Sequence, residues 1–179
     1  ACARGECTDQ VFLPKLDALL SSITKDTVIV YHQIGSHGPA YYLRYPEAFK
    51  PFADDCRSDD FAKCSPEQIT NAYDNSIAYT DFFLATLIDK MGAQDRVLTS
   101  MIYASDHGES LGEGGIYLHA APYVMAPNVQ TQVPLVLWTS PAYRDAFGLD
   151  QTCIKAKAES GALTHDVFFH TILGLADVQ

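Results

Sequence analysis

Residues 105–119 read Ser-Asp-His-Gly-Glu-Ser-Leu-Gly-Glu-Gly-Gly-Ile-Tyr-Leu-His, and this is the part of the chain whose residue types and spacing could do chemistry. Asp106, His107, Glu109, Glu113 and His119 put carboxylates and imidazoles close together, with glycines between them. Imidazole nitrogen and carboxylate oxygen are donors that zinc takes in tetrahedral sites. Asp106 and His107 would point to opposite faces of a regular strand. They can converge on one ion only where the strand ends, and Gly108 marks such an end. Glu109 is placed to exchange a proton or to bind a substrate amine. Glu113 could do the same or lie on the surface. For a lone Asp-His pair, a polar loop with scattered charges is the competing reading; the density of the whole stretch argues against it.

A second stretch, His32-Gln33-Ile34-Gly35-Ser36-His37-Gly38-Pro39, repeats the pattern of histidine and glycine just past an apolar run. Two such strand ends suggest one shared site at one edge of a sheet. His37 stands where the backbone must turn, between Ser36 and Gly38, and is a functional candidate; His32 reads as a partly buried structural histidine. Ser36 is rejected as a nucleophile, because its surroundings do not fit a G-x-S-x-G elbow. His37 and His119 are free to serve a second ion or the substrate. Two adjacent metal ions suit phosphoryl or sulfuryl transfer.

The elements that must position these groups follow from periodicity. Val11, Phe12, Leu16, Leu19, Leu20 and Ile23 predict a helix over 10–23. Val28–Tyr31 reads as a short buried strand, and 97–104 and 133–138 as two more, with Pro134 at the start or on an edge. Ser65-Pro66-Glu67-Gln68 carries an N-cap, a first-turn proline and a capping box, so a long helix is expected from 66 to about 91. A short helix is expected over 141–147 and an amphipathic one over 165–173, capped by Gly174. Residues 151–163 are polar and left unassigned. The aromatics Tyr41, Tyr42, Tyr45, Phe49 and Phe52 read as packing residues. Strands alternating with helices predict an α/β fold with a mainly parallel sheet flanked by helices on both faces. Three strands are few for such a layer, so residues 1–179 are expected to be the C-terminal part of a larger domain. The start at Ala1, with Cys2 close behind, reads as a cut edge.

The 179-residue chain is 47% hydrophobic and 19% charged, which places it with globular proteins. Its net charge of −10 argues against nucleic acid as a partner. An anionic substrate then requires bound cations to reverse the local sign. Cys2/Cys7 and Cys56/Cys64 are spaced for short disulfide loops rather than for zinc knuckles. Disulfides imply an oxidising compartment, the periplasm or the exterior. Cys153 is left over, either a buried thiol or paired outside the chain.

Ile34-Gly35-Ser36-His37-Gly38-Pro39-Ala40-Tyr41-Tyr42, residues 105–113 and Tyr117-Leu118-His119 together resemble the lipid A phosphoethanolamine transferases, the colistin-resistance type of the alkaline phosphatase/sulfatase superfamily. The tail 167–175 resembles them too. The resemblance implies a catalytic domain on the periplasmic face of the bacterial inner membrane, anchored by N-terminal transmembrane helices. It implies phosphatidylethanolamine as donor, lipid A phosphate as acceptor, and a covalent threonine intermediate. By motif position Asp106 and His107 would bind the catalytic zinc, His37 and His119 the phosphate or one or more additional zinc ions, and Glu109 the substrate or an extra metal. The family's threonine, a further glutamate ligand and the membrane helices match no residue here, so the segment alone is expected to be inactive. A sulfatase- or phosphatase-type hydrolase of the same superfamily is the alternative, and a non-catalytic metal-binding domain the third reading.

Overall fold

The structure is a computed structural model that describes residues 2–178 apart from Arg4 and Ala162. Ala1, on which the expected cut edge falls, lies outside the described residues. The chain opens on a hairpin of two-residue strands, β1 (Cys2–Ala3) and β2 (Glu6–Cys7). A Cys2–Cys7 disulfide closes it across a directly opposed pair. A 3-10 turn at Asp9–Phe12 runs into helix α1 (Leu13–Ser22), so the predicted helix is present with its first turn wound tighter.

Helix α2 (Pro66–Gly92) is the long element of the structure, 27 residues and about 40 Å. Its start is local chemistry: Ser65 Oγ accepts from Gln68 N at 3.2 Å while Gln68 Oε1 accepts from Ser65 N at 2.9 Å. Two apolar clusters sit on it. Phe83, Leu87 and Met91 pack with Leu13 and Leu16 of α1. Ile69 and Ala72 pack with Tyr41 and Cys56, and Leu111 and Leu118 lean on this second cluster. Burial of each large side chain contributes roughly 1.5–3 kcal/mol. The Cys56–Cys64 disulfide closes the loop before the helix. Asn75, fully buried, clamps Phe52 by accepting from its N–H and donating to its carbonyl, both at 2.9 Å.

Beyond α2 come β3 (Ser100–Ala104), β4 (Ser110–Leu111), β5 (Tyr117–Leu118), α3 (Asn128–Thr131) and β6 (Leu135–Thr139), then α4 (Pro141–Phe147), α5 (Gln151–Glu159) and α6 (Asp166–Leu175). Here the expected parallel sheet is corrected. β3 pairs with β6 antiparallel, Ser100 opposite Thr139 and Ala104 opposite Leu135, and every ladder among the described residues is antiparallel and two-stranded. The connection between β3 and β6 holds one four-residue α-helix, a 3-10 turn and a small hairpin rather than a crossover helix, and the chain returns in the opposite sense. Val28–Tyr31 takes no regular secondary structure and joins no ladder among the described residues, and Val28 and Val30 are exposed. α5 was not expected: its residues are largely exposed, so burial periodicity was weak, and Asp150 caps it by accepting from Thr152 N and Cys153 N. Gly174 lies inside α6 rather than capping it. Cys153 is a free, exposed thiol, not a buried one. No described helix is long and apolar enough to cross a membrane.

Candidate metal centre

β3 ends at Ala104, and the backbone bends at Asp106. That end lets two adjacent side chains converge: Asp106 Oδ2 lies 3.8 Å from His107 Nε2. Ser105 Oγ donates to His107 O at 2.7 Å, and His165 Nε2 donates to Ser105 O at 2.8 Å, tying α6 to the bend. Asp106 is otherwise open to solvent, with its side chain 86% exposed.

Glu109 stands immediately before β4 and His119 immediately after β5, and the pairing of Ser110 with Leu118 brings them side by side. Donor atoms of His107, Glu109 and His119 all lie within 4.8 Å of one another. The His107 and His119 rings stack at 4.0 Å between centroids, and the His37 ring meets His119 edge-on at 5.5 Å. Both histidine-bearing motifs therefore arrive at one place. Glycine allows the approach: a Cβ on Gly38 would fall 2.6 Å from Leu118 Cδ2, beside the β5 strand that carries His119.

The three imidazoles share one hydrogen-bonding state. His37 Nδ1 meets Gly38 O at 2.8 Å, and His107 Nδ1 meets Gly108 O at 3.0 Å. His119 Nδ1 meets Glu109 Oε1 at 2.7 Å. A carbonyl or carboxylate can only accept, so each Nδ1 carries the proton and each neutral ring keeps its lone pair on Nε2. This orientation by an outer partner is the usual arrangement of metal-binding histidines. Glu109 is buried, and its other oxygen accepts from Tyr41 Oη at 2.9 Å. With both oxygens engaged, its evident work is to orient His119. Burial, then the charge of Glu109 and the bond to it, push the Tyr41 phenol well above its ordinary range, so it stays a donor.

The donor set fits zinc. Bond lengths near 2.0–2.2 Å put two donors of a tetrahedral ion roughly 3.3–3.6 Å apart, close to the Asp106–His107 spacing. A cleft of about 620 Å³ opens here, with Asp106, His107 and His119 on one side and Tyr123, Leu163 and His165 among its other walls. Of the sequence candidates, His37, Asp106, His107, Glu109 and His119 come together. Glu113 is exposed and accepts from Leu111 N at 2.7 Å within its own turn.

Several positioning residues gave no sequence signal. Asp9 accepts from Ile34 N and Gly35 N at 2.9 and 3.0 Å, holding the turn before His37. Arg44 donates from Nε to His37 O at 2.8 Å and pairs with Glu6 of the disulfide-closed hairpin. In sequence Tyr41 reads as a packing residue, with a lipid or sugar contact as the alternative; its bond to Glu109 carries no local signal.

The sulfatase family model matches residues 1–178. The chain is 44% identical over 179 residues to phosphoethanolamine transferase EptA of Escherichia coli strain K12, covering 99% of this chain and 33% of that protein. Among solved structures it is similar to lipooligosaccharide phosphoethanolamine transferase A of Neisseria meningitidis, at 46% identity and TM-score 0.93, covering 98% of this chain. That match spans 53% of the soluble domain and 33% of the integral membrane protein. The C-terminal periplasmic domain of phosphoethanolamine transferase EptC from Campylobacter jejuni is 39% identical at TM-score 0.84, over 96% of this chain and 54% of that one. The chain thus spans about a third of the length of the curated relatives it matches, 33% for the E. coli transferase.

Proposed function

The chain belongs to the sulfatase family, and from that premise we propose that it forms the C-terminal part of a periplasmic catalytic domain that transfers phosphoethanolamine to lipid A. The observation that carries the reading is the convergence of Asp106, His107 and His119 on one cleft, with His37 edge-on to His119 and each of the three imidazoles engaged through Nδ1. The similarity to phosphoethanolamine transferases over almost the whole chain supports the same reaction class. The two disulfides suit an oxidising compartment, and the similarity to an integral membrane transferase suits a site facing the periplasm at the inner membrane.

In this proposal Asp106 and His107 hold a catalytic zinc, and His37 and His119 face the transferred phosphoryl group or hold a further ion. Bound zinc supplies Lewis-acid stabilisation for charge on phosphoryl oxygens. Glu109 keeps His119 in its Nδ1–H tautomer and stabilises that ring if it takes up a proton. Gly38 and Gly108 do the same positional work for His37 and His107 through their carbonyls. The donor is phosphatidylethanolamine. A threonine oxygen outside this chain forms a bond to phosphorus as the bond to glycerol oxygen breaks, and the threonine's proton ends on that glycerol oxygen, releasing diacylglycerol. A lipid A phosphate oxygen then forms the new bond as the threonine–phosphorus bond breaks. The nucleophile, a further glutamate ligand and membrane helices belong to the rest of the protein in this reading, and polymyxin resistance is the expected phenotype.

The family's own description favours one second reading, a hydrolase with water as final acceptor. Mass spectrometry of lipid A from cells expressing the full-length gene separates the two. Added phosphoethanolamine, lost in His107→Ala, is expected. Unmodified lipid A together with ester hydrolysis by the purified protein would overturn the transferase reading.

A further inference from the structure

The two arms of the candidate centre meet on one side chain. Gln130, on the four-residue helix α3, is 5% exposed. Its backbone carbonyl accepts from Gly108 N at 2.9 Å. Its Nε2 donates to Ser110 Oγ at 2.8 Å and to Leu118 O at 3.0 Å. Each contacted residue is the immediate chain neighbour of a cluster member. Gly108 lies between His107 and Glu109, Ser110 follows Glu109, and Leu118 precedes His119. The approach is close: a Cβ on Gly108 would fall 1.9 Å from Val129 O, so the α3 backbone abuts the loop itself. Ser110 is fully buried at 0% exposure, so its hydroxyl has no access to solvent.

A second observation concerns the His119 arm. Leu118 and Ala120, on either side of His119, have φ of 63° and 75°. Left-handed backbone at a residue with a Cβ is unfavourable and persists where the surroundings over-determine it. The bond from Gln130 to the Leu118 carbonyl is such a constraint, made at the strained residue. An amide suits the task because its two N–H groups satisfy two acceptors without adding charge.

We propose that Gln130 is a positioning residue for the metal centre: it fixes the His107–Glu109 arm and the His119 arm relative to each other so that their Nε2 atoms face one cleft. The inference rests on the metal-centre reading above. It is tested in the full-length protein by zinc titration and by the His119 ring resonances of the metal-free form. Gln130→Met keeps the volume and removes both donors; zinc affinity is expected to fall about 10–100-fold, the range for loss of an outer-shell partner. Gln130→Glu keeps the Ser110 contact, because the serine hydroxyl can donate to a carboxylate, and loses the Leu118 bond; a smaller fall is expected. Asn75→Ala removes a buried polar clamp that bonds Phe52 and Tyr45 rather than the cluster; it should lower Tm and leave zinc affinity unchanged. Without metal, the His119 ring should give one Nδ1–H signal in the wild type and a broadened or split one in Gln130→Glu.

Wild-type zinc affinity in Gln130→Met overturns the proposal, as does an unchanged His119 signal in Gln130→Glu. A fall in Asn75→Ala as large as in Gln130→Met also overturns it, since the effect would then be general loss of structure. No zinc bound by the wild type would sink the metal-centre reading and this inference with it.

Discussion

Helix α2 and the segment from Ser105 to Gln130 are built in opposite ways. α2 is held by its own sequence: a capping box at Ser65, a first-turn proline, and backbone bonds four residues apart for 27 residues. The site segment has strands of two residues, and much of its shape is held from a distance. Tyr41 reaches Glu109 across 68 positions, and Gln130 reaches Ser110 across 20. The difference separates stability from chemistry. The helix carries the apolar clusters, whereas the loops carry the donors and rest on the helix through Leu111 and Leu118. Damage to the helix should therefore appear first as lost stability, and damage to the loop bonds as lost zinc.

The largest expected effect is on the helix side. Phe83 is 1% exposed, and Phe83→Ala should cost about 3–5 kcal/mol in urea unfolding. Zinc affinity of the remaining folded protein should be kept; if it falls in step with stability, the two regions are not separable. Next comes the loop side. Tyr41→Phe removes the donor to Glu109, a bond to a charged group worth about 1.5–3 kcal/mol. Zinc titration should show weaker binding by roughly tenfold or more, with the His119 ring no longer held in one tautomer. Retention of both would break the claim that distant bonds organise the site.

Smaller effects sharpen the contrast. Ser65→Ala removes one side of the capping box and should cost about 1 kcal/mol, seen as a lower unfolding midpoint with zinc affinity unchanged. The Lys90–Asp17 pair lies at 2.7 Å on the surface with Asp17 58% exposed. Lys90→Ala should shift stability by no more than about 0.2–1 kcal/mol, less in high salt. A larger loss would mean that α1 docks on α2 by charge rather than through Leu13 and Leu16.

The same division sets what could be read from sequence. The start of α2, both disulfides, α4 and α6 were legible, because caps, prolines and periodicity act within a few residues. The strand segments around 100–104 and 135–139 were legible as apolar runs, but their direction was not. Thirty residues between two such runs suit a crossover helix, and only the folded chain shows that they form the site loops instead. Val28–Tyr31 has strand composition without a ladder partner among the described residues, and composition cannot reveal a missing neighbour. At the site, Asp106, His107, Glu109 and His119 stood out because they are dense and glycine-spaced, and His37 because it repeats the pattern. Asp9, Tyr41, Arg44 and Gln130 did not stand out. Each is an ordinary residue that matters through bonds to residues outside its own local stretch.

The central claim is that Asp106 and His107 share one zinc beside His119 and His37. Anomalous diffraction at the zinc edge, from crystals of the zinc-loaded full-length protein, tests it most directly. The account predicts a peak about 2.0–2.2 Å from both His107 Nε2 and an Asp106 oxygen, with His107 Nδ1 still on the Gly108 carbonyl. A zinc-loaded crystal whose peak lies away from this cleft, or is bound through Nδ1, would contradict it.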